Sequence, residues 1–397
     1  MTTLFLFDHV CTQERPTPNI AQHRAEPYTP AWRQFSQVWP YSEPVNFYEH
    51  CWAHGVPVQA VTLDQLGHSP ALYAIALTWW DHSVDYVSLI PPEVLALARE
   101  GQVRVVFFYT EGDNPRIIRR RIDQMARDQQ LDPGAVHFVS ANSEANSIAG
   151  CSYFADDELL FLQRNQACAA VEYHEHSRPY SFTCLNRTHK WWRCATMTQM
   201  QQQGLLERAL WSYNSTVTIG DDVNDCPISV FNYHNLFAQM QSFLASGART
   251  ADELDHQAHN DHSHQVPQHY TDSYFQVVLE THFDADSSHG TFLTEKTFKP
   301  IKNCQPFVLF APAHSLEQLR LMGYRTFDHV IDPSYDLVLD NNLRWRRVIS
   351  TVQQLLTQDL DQVYADCRSD LIHNQQLFLS NKQLRLNKVL KEIYEPS

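Results

Sequence analysis

The chain has 397 residues, which exceeds one ordinary hydrophobic core and suits two domains of roughly 150 to 200 residues each. Its 43% hydrophobic and 12% aromatic content is typical of a folded globular protein. The 30 Lys and Arg residues stand against 45 Asp and Glu, a net charge of −15 that disfavours binding to a nucleic-acid backbone. An anionic ligand therefore requires local clusters of basic side chains.

Cysteine usage and hydropathy predict the compartment. The 9 cysteines are odd in number and scattered, and none are spaced as CxxC, which indicates a reducing environment and argues against disulfides or a zinc knuckle. No stretch approaches the roughly 20 apolar residues of a membrane span. The start of the chain, residues 1–10, has the pattern of a buried strand and lacks the basic lead of a signal peptide. We expect a cytoplasmic protein.

Strands and helices are predicted to alternate in the first part of the chain. The pattern predicts strands at 84–90, 103–110 and 136–140, with helices at 91–100 and 116–130. Strands that are apolar on both faces and joined by helices belong to a parallel sheet with covered faces. This part is therefore predicted to be a doubly wound domain.

A second α/β series begins near residue 180. Its predicted strands are 181–185, 209–213, 274–280 and 306–310, and its predicted helices are 189–203, 228–246, 294–303 and 315–322. We place the boundary around residues 165–180, where the polar stretch 174–179 shows no periodicity. We predict an α/β fold with two Rossmann-like domains that face a central cleft. The first spans 1–175, the second 176–340, and helices at 341–397 pack back across both.

The densest pattern of chemistry-bearing residues is the segment 292–301, FLTEKTFKPI, which follows the predicted strand ending at Glu280. A strand, a polar loop and a helix start with free N–H groups form a recurring phosphate site. Lys296 and Lys299 would add positive charge to it. Glu295 is placed to accept a hydrogen bond from a ribose hydroxyl.

A second basic cluster follows the first strand of the second domain, where an open α/β sheet presents its ligand crevice. Its members are Asn186, Arg187, His189, Lys190 and Arg193. Both clusters also fit ordinary helix starts. In that alternative Thr294 is an N-cap, and the basic side chains are simply exposed to solvent.

The run 292–336, with FLTEKTFKPI, QPFVLF, SLEQLRLMGYRTF and IDPSYD, resembles the donor-binding half of GT-B glycosyltransferases from bacterial and phage polysaccharide loci. Its TEK core is similar to the nucleotide-binding motif of the α1,3-fucosyltransferases. The layout of the whole chain resembles the retaining β-Kdo transferases that form the amino-terminal module of WbbB-type proteins.

That resemblance implies a function and partners. The donor would be CMP-β-Kdo and the acceptor a bacterial surface glycan of the O-antigen or capsule type. Further glycosyltransferase modules or polysaccharide-assembly proteins would hold the enzyme at the inner face of the membrane. Donor contacts are expected from Asn186, Arg187, Lys190, Glu280, Thr294, Glu295, Lys296, Thr297 and Lys299.

Retention by double displacement requires a carboxylate nucleophile and a second group that relays protons. Candidate carboxylates for the nucleophile are Asp221, Asp222 and Asp225. If the family's nucleophile corresponds to position 232, this chain departs from it, because Asn232 carries an amide there. Glu158 is the candidate acid/base. The alternative for Asn232 and Glu158 is an ordinary polar residue near a helix start.

No metal or other cofactor is expected, because basic side chains can neutralise the single phosphate of a CMP-sugar. A histidine-rich run, His256, His259, His262, His264 and His269, matches no fixed zinc spacing and predicts a loop with incidental metal affinity. Three alternatives stay open. They are a metal-dependent enzyme with Mn²⁺ at 284–286 or 222–225, a GT-B enzyme using a GDP- or UDP-sugar, and a non-catalytic glycan- or nucleotide-binding module.

Overall fold

Two parallel β-sheets form the framework of the computed structural model, which describes residues 2–7, 47–77, 80–158, 169–214, 222–251, 265–284 and 290–395. The predicted α/β fold with two Rossmann-like units is confirmed. Each sheet is covered by helices, so its strands are buried on both faces.

The first sheet has the order β2-β1-β3-β4-β5-β6, and all its strand pairs are parallel. Its strands are β1 (Thr3–Leu6), β2 (Val58–Val61), β3 (Ala71–Leu77), β4 (Val103–Tyr109), β5 (Val136–Ser140) and β6 (Cys151–Tyr153). The helices of this part are α1 (Phe47–Ala53), α2 (Leu63–Leu66), α3 (Pro92–Arg99) and α4 (Pro115–Asp128).

Alternate residues of the first sheet serve two separate cores, as the period of two in a strand requires. Tyr73 and Phe107 pack with α3 and α4 on one face. Leu72 and Phe108 pack on the other face with α1 and with the last helix of the chain.

The second sheet has the order β10-β9-β7-β8 and is also parallel. Its strands are β7 (Tyr180–Asn186), β8 (Ala209–Tyr213), β9 (Ser273–Leu279) and β10 (Phe307–Phe310). The helices around it are α5 (Trp191–Gln202), α6 (Leu236–Ala245), α7 (Pro267–Thr271), α8 (Glu295–Lys302) and α9 (Ser315–Leu321). Because the chain leaves central β7 first toward β8 and later returns through β9, the loops after β7 and β9 are neighbours.

The chain ends in four helices, α10 (Asn341–Leu355), α11 (Leu360–Asp366), α12 (Arg368–Ser380) and α13 (Lys382–Tyr394). Side chains of α10, α11 and α12 belong to the core of the second sheet. Leu386, Val389 and Ile393 of α13 instead pack in the core of the first sheet. The polypeptide therefore crosses back between the two sheets at the break between α12 and α13.

Two of the predicted elements were wrong. Residues 84–90 form turns and no strand, because the Asp85 carboxylate accepts from the backbone N–H groups of Val87 and Ser88 and closes a local turn. The predicted helix at 228–246 is a short 3₁₀ turn at Val230–Asn232 followed by α6. Asn235, with φ of 62°, adopts a left-handed conformation that interrupts regular helix between them.

Loops from the two sheets touch directly. The backbone N–H of Ser143 donates to the Thr291 carbonyl at 2.9 Å, and the Thr291 N–H donates to the Ser143 hydroxyl at 2.9 Å. Gly112, which follows β4, lies so close to Phe292 that a Cβ atom at position 112 would overlap the Phe292 ring. Glycine is therefore required at this contact.

We predict that Gly112→Ala destabilises the protein by about 1 to 3 kcal/mol, the usual cost of overpacking. Thermal unfolding measures this as a lower Tm. Gly134→Ala, at a surface turn, is the control and should leave Tm close to the wild-type value. Because the strain comes from Phe292, Gly112→Ala combined with Phe292→Ala should cost less than the sum of the two single changes. Strictly additive costs would contradict the contact.

Candidate functional site

The loops after β7 and β9 form the second-sheet side of the candidate site, at the carboxyl ends of two neighbouring parallel strands. Arg193 connects the two loops by hydrogen bonds. Its guanidinium donates to the Glu280 carbonyl at 2.6 Å and to the Thr188 hydroxyl at 2.8 Å. The two basic clusters recognised in the sequence are thus parts of one site.

Glu280, at the end of β9, holds the start of α8. Its buried carboxylate accepts from the Thr281 N–H at 2.9 Å, the Thr294 N–H at 3.0 Å and the Thr294 hydroxyl at 2.6 Å. The Thr297 hydroxyl donates at 2.5 Å. Four donors satisfy the oxygens of this buried side chain, so Glu280 serves the structure of the loop.

This arrangement corrects part of the phosphate-site hypothesis. Thr294 is the N-cap of α8 and accepts from the Lys296 N–H at 3.5 Å, as the capping alternative proposed. The N–H groups of Thr294 and Thr297 are also occupied, the second by the Thr294 carbonyl. The helix start therefore does not offer all its N–H groups to a phosphate, and both threonine hydroxyls point to Glu280.

Lys296 is the main cation of this loop. Its ammonium group lies 3.0 Å from a Glu295 oxygen, 3.1 Å from the Thr294 hydroxyl and 3.2 Å from the Thr281 hydroxyl, with 26% of the side chain exposed. These contacts orient the ammonium group while leaving it accessible to a ligand. Lys299, one turn further along α8, is also partly exposed.

Lys190 lies close enough to His282 for its charge to affect the pKa of that histidine. Burial, together with the charges of Lys190, Arg193 and Lys296, lowers the pKa of His282 to about 3. His282 is therefore neutral at pH 7 and can donate and accept hydrogen bonds. Asn186, at the end of β7, is 2% exposed, and its Oδ1 has no hydrogen-bond partner among the described residues.

The first sheet contributes carboxylates that the sequence analysis missed. Glu111 follows β4, and burial raises its pKa to about 7, with Asp113 and Asp156 adding to the rise while Lys296 and Lys190 oppose it. Those lysines belong to the second sheet's loops. Glu111 therefore faces the cations across the cleft.

Asp157 is the second carboxylate on this side and follows β6. Burial raises its pKa, and the charges of Glu295, Asp156 and Glu111 raise it further, whereas Lys296 lowers it. Raised carboxyl pKa values beside cations in a cleft are typical of functional sites. Their position in the sequence could have pointed to them, since each residue comes within four positions of the end of a parallel strand.

The three predicted catalytic residues differ in burial and contacts. Glu158 has no exposed surface, and its oxygens contact the Tyr324 hydroxyl and, at 2.6 Å, the Arg385 guanidinium. These partners favour a structural role at the crossing of α13. Asn232 and Asp222 are both exposed, and Asp222 caps a 3₁₀ turn by accepting from the Asn224 N–H at 2.8 Å. Their catalytic roles stay predictions.

The described ranges contain no group of three His, Cys, Asp or Glu side chains arranged to hold a metal ion. Most of the histidine-rich run, Asp286 and Asp221 lie outside the described residues, while His269 is buried beside β9. Within the part of the chain that is described, no helix has both the length and the apolar character needed to cross a membrane.

A cavity of about 310 Å³ opens beside the Ser143–Thr291 contact between the sheets. Its polar lining includes His314, Glu317 and Gln318 of the β10–α9 region, and Leu339 adds an apolar wall. Space for a second ligand therefore adjoins the loop that carries Lys296.

No protein-family model and no curated protein matches this sequence. Among solved structures, the fold is similar to "T4 phage BGT in complex with UDP and Mn2+", with 8% identity, a TM-score of 0.38, and 99% of each chain covered. It is also similar to a crystal structure of the DNA modifying enzyme β-glucosyltransferase, with 8% identity, a TM-score of 0.36, and 99% of this chain and 100% of that chain covered. Similarities this weak do not identify an activity or a substrate.

We predict that the Glu111 carboxyl titrates with a midpoint near 7, because burial and neighbouring carboxylates disfavour its ionised form. Carboxyl-¹³C NMR of glutamate-labelled protein measures this, with Glu111→Gln identifying the resonance. Removing the Lys296 charge in Lys296→Met should move the midpoint upward, whereas Lys388→Met, an exposed site on α13, should leave it unchanged. A midpoint near the ordinary value for glutamate would contradict the geometry of the cleft.

Proposed function

We propose that this chain is a glycosyltransferase that binds a nucleotide-activated sugar between its two sheets. The observation that carries the proposal is the pairing of Lys190 and Lys296 at the strand ends of one sheet with Glu111 and Asp157 at those of the other. Glycosyl transfer needs these two kinds of group. Cations stabilise the charge that develops on the departing phosphate. A carboxylate acts as a general acid or base at the sugar and the acceptor.

Glu111 takes the acid/base role in this proposal. A group with a pKa near 7 exchanges protons readily at neutral pH, which suits general acid–base catalysis. Glu158, the earlier candidate, is enclosed by Tyr324 and Arg385 and lacks access to a substrate in this structure. The acceptor would approach from the side of the cavity lined by Glu317 and Gln318.

For the donor we propose CMP-β-Kdo and a retaining reaction onto a bacterial surface glycan, in the cytoplasm. The support is the resemblance of the TEK segment and of the chain's layout. Because Asn232 lacks a carboxylate, the nucleophile of a double displacement in this chain would be Asp157, the cleft carboxylate next to Lys296. The single phosphate of CMP suits a site with two accessible lysines and no required metal.

We predict that CMP raises the Tm of the protein by a few degrees and that EDTA leaves the increase unchanged. Binding to the native state at 100 times Kd stabilises it by about 2.7 kcal/mol. A thermal-shift panel of CMP, UDP and GDP measures this. Lys296→Met should remove the increase, whereas Lys388→Met should retain it.

The panel also separates the other candidates. A response to UDP or GDP alone would replace Kdo by another donor sugar, and loss of the response in EDTA would indicate a metal-dependent enzyme. Glu111→Gln should keep nucleotide binding and abolish sugar transfer. Nucleotide binding without any transfer by the wild type, unrepaired by Asn232→Asp, would favour a non-catalytic binding module.

A further inference from the structure

The cavity beside the Ser143–Thr291 contact contains a polar side chain whose hydrogen bonds the described protein does not supply. Gln318 of α9 lines this cavity and is only 8% exposed, yet its side-chain amide makes no hydrogen bond to any residue that the structure describes. A nearly buried amide without partners is unfavourable unless a ligand or water meets it. The Gln318 amide therefore offers two N–H donors and an acceptor oxygen to a molecule in the cavity.

Hydrogen bonds fix the backbone that carries Gln318. The Asp336 carboxylate accepts from the N–H of Leu316 at 2.9 Å and from the N–H of Glu317 at 3.1 Å. The Asp336 carbonyl accepts from the His314 N–H at 2.8 Å, and His314 adopts a left-handed conformation with φ of 69° at the start of α9. The side chains on this wall of the cavity are therefore positioned before a ligand binds.

Two further polar groups of the lining can bind a ligand. His314 Nδ1 lies 2.8 Å from Glu317 Oε2, while Glu317 Oε1 contacts no donor within the described ranges. The Ser143 hydroxyl accepts from the Thr291 N–H and from the Thr291 hydroxyl, each at 2.9 Å, so its own proton is free to be donated. The cavity thus presents both donors and acceptors, from both sheets.

The charge and the apolar part of the lining select among ligands. None of the described lining residues is Lys or Arg, and the Glu317 carboxylate repels a phosphate or a second carboxylate. Leu321 and Leu339 add apolar surface at the rim. A neutral pyranose ring suits this lining, because its hydroxyls donate and accept while its C–H face packs on apolar side chains. The volume of about 310 Å³ is that of a small-ligand pocket.

We propose that this cavity binds a neutral sugar ring of the acceptor glycan and rejects acidic sugars. The acceptor role rests on the proposed function and on the position of the cavity, since Thr291 precedes Thr294 of the TEK segment by three residues. Kdo carries a carboxylate, so the ring bound here belongs to the acceptor and not to the donor. Gln318 and Glu317 hydrogen-bond the hydroxyls of that ring. Binding of the sugar itself does not require transfer.

The test is saturation-transfer difference NMR of the full chain with simple glycosides as probes. The methyl glycosides of glucose, galactose and mannose are each paired with the corresponding methyl uronide, which differs only in the carboxylate at C6. We expect at least one neutral glycoside to bind with a millimolar dissociation constant. Its uronide should bind about tenfold more weakly, because its carboxylate meets Glu317.

Three variants connect the binding to the lining. Gln318→Leu keeps the volume of the side chain and removes the amide, so the neutral glycoside should bind about tenfold more weakly. Glu317→Gln removes the negative charge, so the uronide should bind about as tightly as the neutral glycoside. Gln354→Leu, at an exposed position of α10, is the matched control and should bind like the wild type.

Each outcome decides the proposal. Saturable binding by none of the three glycosides overturns it, as does unchanged affinity in Gln318→Leu or a wild-type protein that binds a uronide as tightly as its neutral partner. Displacement of the glycoside by cytidine would assign the cavity to a nucleobase instead. If Gln318→Leu fails to fold, Glu317→Gln carries the test, because Glu317 is about half exposed and its loss of charge leaves the core intact.

Transfer assays separate this proposal from the proposed function. In an active glycosyltransferase, Gln318→Leu should raise the KM for the acceptor about tenfold with little change in kcat, whereas a merely structural disturbance lowers kcat. Transfer with an unchanged acceptor KM in this variant would keep the enzyme and reject the sugar subsite. Glycoside binding that follows the predicted pattern without any transfer would confirm the neutral-sugar site and reject the enzymatic assignment.

Discussion

Four hydrogen bonds converge on the buried carboxylate of Glu280, and the second-sheet side of the candidate site depends on them. The carboxylate fixes the first turn of α8 against the end of β9, and the same residue's carbonyl receives Arg193 from the loop after β7. Lys296 therefore has a defined position, because the backbone that carries it cannot move independently of the sheet. The buried acidic residue Glu280 therefore helps to position the basic side chain of Lys296.

The cleft combines groups from two sheets because both sheets are parallel. All strands of a parallel sheet end at one edge, so the loops that follow β4 and β6 gather Glu111, Asp156 and Asp157, while those after β7 and β9 gather the cations. The contact between Ser143 and Thr291 and the crossing of α13 to the first sheet hold the two edges together. In a chain with net charge −15, the grouping of Lys190, Arg193 and Lys296 beside these carboxylates distinguishes the site.

Sequence patterns predicted several long, apolar strands of the parallel sheets, such as β4 and β9. They failed at 84–90, where an Asp85 turn overrides apolar content. They also missed β2 and β6, which are too short to show periodicity, and β3, which is seven residues long and buried. The TEK segment was placed correctly after a strand.

The role of Glu280 was not predictable, because its partners Thr294 and Thr297 are 14 and 17 residues away. Glu111 and Asp157 were missed because only their position after a strand marks them in the sequence, while the lysines that act on them come from the other sheet.

Hydrogen–deuterium exchange with CMP, UDP and GDP tests most directly whether the two sheet edges form one ligand site. If they do, the nucleotide that binds slows exchange at residues 187–190 and 294–297 of the second sheet's loops and also at 110–113 after β4. A nucleotide that protects only the region around Asp222 and Asn232, or none of these segments, would contradict it.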